Sequence, residues 1–243
     1  MLAALAAAAS LAWLWLIWAP MPDHGSGAMD MAGMGGVSGQ VWSASYLLPA
    51  FMMWALMMIA MMLPSAAPMI LLHARVAQHN NAGPSETAIF AAVYLMVWAI
   101  FSAVAALGQA ALISLGAVSA MTLAVGSNVL AAALLAAAAL YQLSPIKRAC
   151  LDRCRSPFSF IVRLWRPGAR GALRLGIAHG LYCLGCCWVL MLLLFVGGVM
   201  NLAWVAGLAG IVFIEKLAPP GWRASWWVAA ALAIGAAFVA INR

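Results

Sequence analysis

One helix-length apolar stretch, Leu173 to Met200, carries His179, Cys183, Cys186 and Cys187. At 3.6 residues per turn, positions 4, 7 and 8 after His179 share its helical face. Thiols and an imidazole at membrane depth must face protein, a metal or a cavity, and together they suit a soft metal such as copper(I). Structural zinc asks for four ligands, whereas copper(I) is satisfied by two or three soft ones; zinc is the borderline alternative. A single buried cysteine is ordinarily a small hydrophobe. An imidazole and three thiols on one face shift the reading toward a metal or redox site. Cys186 and Cys187 are adjacent, so their side chains diverge by ~100° on a regular helix. Gly185 offers a place for distortion.

A second stretch, Ser45 to Leu72, is rich in methionine. Met58, Met61, Met62 and Met69, with His73 beyond them, fall on one side at offsets of 3, 4, 11 and 15 from Met58. Thioethers hold copper(I) weakly and reversibly, which suits a path of transit. Pro64 and Pro68 free backbone carbonyls there, as in discontinuous transporter helices. The competing reading is a flexible packing stripe. A segment without Lys or Arg, Pro20 to Gln40, holds His24, Met29, Met31 and Met34 on a Gly-rich tether, a composition suited to copper capture or to a plain linker. Glu215 lies in an apolar span, where it is expected to complete a metal shell, orient His179, carry a proton, or pair with Lys216 or Arg223. Cys150 and Cys154, four apart among basic residues that favour thiolates, are expected to accept or deliver a metal or to form a redox pair.

The elements that must position these residues are membrane helices. Hydrophobic residues make up 67% of the 243 positions and charged ones 7%, with mean hydropathy +1.05. A soluble domain would have about a quarter of its residues charged. The expected fold is all-α, a polytopic transmembrane bundle of seven spans: Leu2 to Ala19, Ser45 to Leu72, Thr87 to Leu107, Ala117 to Tyr141, Leu173 to Met200, Ala203 to Lys216 and Trp226 to Ile241. Six spans remain if the first is a cleaved leader or lies outside the bundle. His73 to Glu86 reads as a polar loop. Residues 1–44 form a first span with a Met/His-rich periplasmic loop, and 45–243 a membrane domain with a basic loop at 142–171.

Eight of the twelve Lys and Arg lie between Lys147 and Arg174. That loop is therefore expected inside a bacterial inner membrane, with the N-terminus also inside. Its Phe158, Phe160, Ile161, Leu164 and Trp165, interleaved with Arg163 and Arg166, read as an interfacial amphipathic stretch. The basic cluster argues for topology and lipid headgroups, and no aromatic pattern suits base stacking, so nucleic acid is excluded as a partner. Neither a phosphate loop nor a nucleophile motif is visible, which favours a binding protein over an enzyme. Five cysteines, an odd number, exclude a complete disulfide framework.

Several motifs together resemble an uncharacterised bacterial family described as predicted metal-binding integral membrane proteins, with a domain of unknown function. They are Met61-Met62-Leu63-Pro64-Ser65-Ala66-Ala67-Pro68-Met69, Tyr141-Gln142-Leu143-Ser144-Pro145 with Lys147, Cys150 and Cys154, His179-Gly180 with Cys183, Gly185-Cys186-Cys187-Trp188 and Met191, and Glu215-Lys216. The similarity runs from about Trp42 through the sixth span. It implies a membrane topology and the ligand positions above, and no reaction.

The leading expectation is a copper(I)-handling protein with lipid, a metal ion and a membrane or periplasmic protein as partners. Two alternatives stay open. One is an accessory subunit or assembly factor whose small residues, Gly197, Gly198, Gly207 and Gly210, pack against an oligomer or partner. The other is a thiol redox protein using Cys186 or Cys187.

Overall fold

The structure, a computed structural model, describes residues 2–18, 40–219 and 222–241. Among the described residues ten helices run in chain order: α1 Leu2–Trp18, α2 Ala44–His79, α3 Pro84–Ser114, α4 Asn128–Gln142, α5 Pro145–Arg155, α6 Pro157–Leu164, α7 Ala169–Leu192, α8 Leu194–Gly197, α9 Leu202–Leu217 and α10 Ala224–Ile241. The chain is all-helical among the described residues, apart from one isolated bridge between Val118 and Val125. Among the described residues, four helical segments are long and apolar enough to cross a membrane: α2, α3, α7 with α8, and α10. A fifth follows if α4 and α5, bent by 63° at their junction, are one broken span.

The seven expected spans are thus not reproduced. The α1 helix has 17 residues and α9 has 16, each short of the ~20 needed to cross hydrocarbon upright. The expected span Ala117 to Tyr141 becomes helical only at Asn128. Its first part is a turn in which Leu123 adopts a left-handed φ of 52°, and Ser127 caps the helix by accepting from Leu130 N. The segment 142–171 is two helices rather than a loop. Ser144 caps α5 through Lys147 N and Pro145 starts it; Ser156 and Pro157 stand in the same order before α6. The α6 helix is amphipathic, with Phe160 and Ile161 buried while Phe158 and Val162 are exposed.

The α2 helix is longer than expected, because the polar stretch after Leu72 stays helical to His79. Its 36 residues span roughly 54 Å at 1.5 Å each, well beyond a ~30 Å hydrocarbon core. Asn81, with φ 53°, turns the chain into α3, which Pro84 opens at its first position.

The bundle core is made by α2, α3 and α7. The α2 helix packs on α1 and α3, α3 on α7, α7 on α5, and α4 on α10. The α3–α7 seam depends on two glycines one turn apart. A Cβ at Gly176 would stand 2.9 Å from the Phe90 carbonyl oxygen, and one at Gly180 2.8 Å from Val97 Cγ2. Small residues at this spacing let two membrane helices approach closely. Trp54, Trp98, Tyr94 and Phe90 fill the interior behind that seam.

Candidate functional site

Cys183, Cys186 and Cys187 project from α7 into the buried core, and no cysteine among the described residues is in a disulfide. The Cys186 and Cys187 thiols both donate to the Cys183 carbonyl, at 3.1 and 2.9 Å. These are the backward thiol-to-backbone bonds open to a side chain in an apolar helix. Facing them from α2 is Met62, whose Sδ lies 3.8 Å from Cys187 Sγ. One rung of the methionine ladder therefore meets the cysteine face. Met58, Met61 and Met69 are also buried along α2. Met52, earlier on the same helix, is exposed.

Two residues that spacing does not single out complete this cluster. Lys216 of α9 turns inward, its Nζ 2.9 Å from Cys183 Sγ, 3.0 Å from Ser65 Oγ and 3.7 Å from Met62 Sδ. Tyr94 of α3 brings its hydroxyl to 3.2 Å from Cys183 Sγ and 3.3 Å from the Met62 carbonyl. A lysine at the end of a short apolar span beside a carboxylate is the available signal for the first, because an ammonium that cannot reach water must find a partner. Tyr94 carries no signal within its apolar run.

Glu215 points away from the thiols. Its carboxylate accepts from Lys147 Nζ at 2.6 Å, and Lys147 also donates to Gln142. Arg155 holds the Glu215 carbonyl through Nε at 2.7 Å. The expected partners Lys216 and Arg223 are replaced by a cation from α5. The α5 cysteines likewise fold back on α7 instead of lying free in a basic loop. Cys150 packs over Gly185, where an added Cβ would stand 2.8 Å from its Sγ, and Cys154 lies beside Cys186. Tyr141 reaches the same helix by donating to the Gly185 carbonyl at 2.5 Å.

His73 and His179 both pack among aromatic rings. His73 Nδ1 pairs with Thr87 Oγ1 at 3.1 Å, and its ring stacks on Phe90 at 4.7 Å. His179 sits among Tyr94, Phe90 and Phe160, with ring centroids 5.3, 6.0 and 5.8 Å away. It is 4% exposed, and neither ring nitrogen has a partner among the described residues. It lines a cavity of about 100 Å³ together with Ser65, Met69, Cys154, Arg155 and Lys216. His24, Met29, Met31 and Met34 lie outside the described residues. No three His, Cys, Asp or Glu side chains among the described residues converge as a ready-made cage. The soft donors that do meet are thiols with a thioether, a combination that leaves out the carboxylate and both imidazoles.

The apolar helices define a membrane protein, with sulfur atoms in its interior that face one lysine and one tyrosine. Residues 51–239 match the model of the PpoB2 copper chaperone family, and the chain belongs to that family. No curated protein and no solved structure matches it.

Proposed function

We propose that this protein binds copper(I) as cargo inside the membrane, at Cys183, Cys186, Cys187 and Met62, and passes it to a protein client. The observation that carries this reading is the meeting of two helices through sulfur: Cys187 Sγ of α7 and Met62 Sδ of α2 are 3.8 Å apart in a buried core. Thiolate and thioether are the ligand types that select copper(I) over harder cations. Family membership supports the identity of the metal. The neighbouring thiols of Cys154 and Cys150 extend the sulfur path from α7 to α5 and suit a route by which the ion leaves. Met58, Met61 and Met69 suit its passage along α2, and the His24, Met29, Met31 and Met34 tether its capture. Glu215 and His73 act through position rather than as ligands.

The basic α5–α6 segment suits the cytoplasmic side of an inner membrane, by the rule that Lys and Arg stay inside. No nucleotide-binding motif is present in the sequence, so movement of the ion depends on a gradient or on the client. The test is metal content by mass spectrometry of protein purified under reducing conditions and loaded with copper(I). Near-stoichiometric copper is expected, lost in Cys183→Ser/Cys186→Ser. Equal copper in the double variant, once shown to be folded, sinks the reading.

A further inference from the structure

The cavity beside the thiols is built differently from them. Arg155 Nε is taken by the Glu215 carbonyl and Nη1 lies 3.5 Å from the Trp222 carbonyl, while Nη2 is buried with no acceptor among the described residues. His179, on the same wall, must carry a hydrogen on at least one of its two unpartnered nitrogens. Lys216 adds a second cationic side chain to the lining. The donors thus outnumber the acceptors there.

Charge points the same way. Lys147 pairs with the Glu215 carboxylate at 2.6 Å, half-buried Arg155 reaches only the carbonyl of that residue, and Lys216 turns to Cys183. A thiolate at Cys183 would answer Lys216 and still leave Arg155 without a counter-charge. Buried like charges in a low dielectric repel strongly and are retained when something pairs with them. Pro68, Pro157 and Leu217 close the rest of the wall with apolar surface. About 100 Å³ is room for several waters, which would satisfy the donors without balancing the charge. Met69 and Cys154 also contribute sulfur to the lining, but no three His, Cys, Asp or Glu side chains converge there among the described residues.

We propose that this cavity binds a small monovalent anion of the halide class, held by Arg155 and His179, as counter-ion to the cationic side chains at the inner end of the bundle. The site shares Lys216 with the sulfur cluster, but its anion-binding donors are Arg155 and His179, and it does not depend on copper.

The test uses copper-free, full-length protein in detergent, unfolded thermally in sodium bromide and in sodium gluconate at equal ionic strength. A saturable upward shift of roughly 3 °C in bromide is expected. Chloride-35 NMR linewidth, broadened by the folded protein and narrowed by added bromide, gives a second readout at equilibrium. His179→Phe keeps a ring among Phe90, Tyr94 and Phe160 and removes both nitrogens; it should abolish both effects. Arg155→Gln is the second variant and should do the same. Equal transitions of the wild type in the two salts, with no excess broadening, overturn the proposal. So does a bromide effect that persists unchanged in both variants.

Discussion

Glu215 and Lys216 are neighbours in sequence, yet they enter two unlike clusters. Glu215 joins an electrostatic knot in which its carboxylate meets the Lys147 ammonium, Lys147 also donates to Gln142, and Arg155 donates to the Glu215 carbonyl. Lys216 enters an open cluster, where an ammonium meets a thiol, a thioether and a hydroxyl. Adjacent positions on a helix diverge by ~100°, so one turn of α9 serves both. This ion pair fastens α5 to α9. The open cluster has soft groups whose bonds to an ammonium are weak enough to exchange for a better cation. The difference separates a fastening from the proposed binding place within about one helical turn.

The comparison breaks most visibly at the fastening. Glu215→Ala leaves Lys147 buried without its counter-charge, and thermal unfolding in detergent should report a loss of about 3–5 kcal/mol. Lys147→Met with Glu215→Leu removes both charges and should recover most of that loss; a double variant as unstable as the single would show that the pair does more than balance charge. In the open cluster, Met62→Leu keeps the shape and removes the sulfur. Copper(I) affinity, measured by competition with a colorimetric chelator, should fall about tenfold, or ~1.4 kcal/mol. Unchanged affinity would remove Met62 from the donor set. Tyr94→Phe deletes the hydroxyl beside Cys183 and should cost about 1 kcal/mol of stability by the same unfolding assay. Smallest is Trp13→Phe, which loses the 3.1 Å bond to the Ala60 carbonyl that ties α1 to α2. A change under about 1 kcal/mol is expected, and a larger one would make α1 integral to the core.

The apolar helices were legible because an uninterrupted apolar run of membrane-crossing length is rare in a soluble fold. Ser45 to Leu72, Thr87 to Leu107, Leu173 to Met200 and Trp226 to Ile241 all lie within described helical segments or run a few residues past them. The helices inside 142–171 were hidden by charge. Ser144-Pro145 and Ser156-Pro157 are both helix-start pairs, and they decide the local structure against the basic residues around them. The expected fourth span failed for the opposite reason: apolar composition concealed a turn at 117–127.

At the site, the cysteine face of α7 and the rung at Met62 could be read from spacing. Their partners could not, since Lys147 and Lys216 reach across 68 and 33 residues of chain. Before the bundle is assembled such lysines look like topology signals. His179 shares the helical face of the cysteines but packs in an aromatic box one turn away, because ring stacking and sulfur contact draw on different neighbours.

The glycine seam between α3 and α7 has a mechanical corollary. Val93 and Val97 press against Gly176 and Gly180, and Tyr94 lies between those valines on α3. The gap between the Tyr94 hydroxyl and Cys183 is therefore gauged by two missing methyl groups. An alanine at either glycine acts as a shim that wedges the helices apart and detunes the thiol from its phenol without altering a single donor atom.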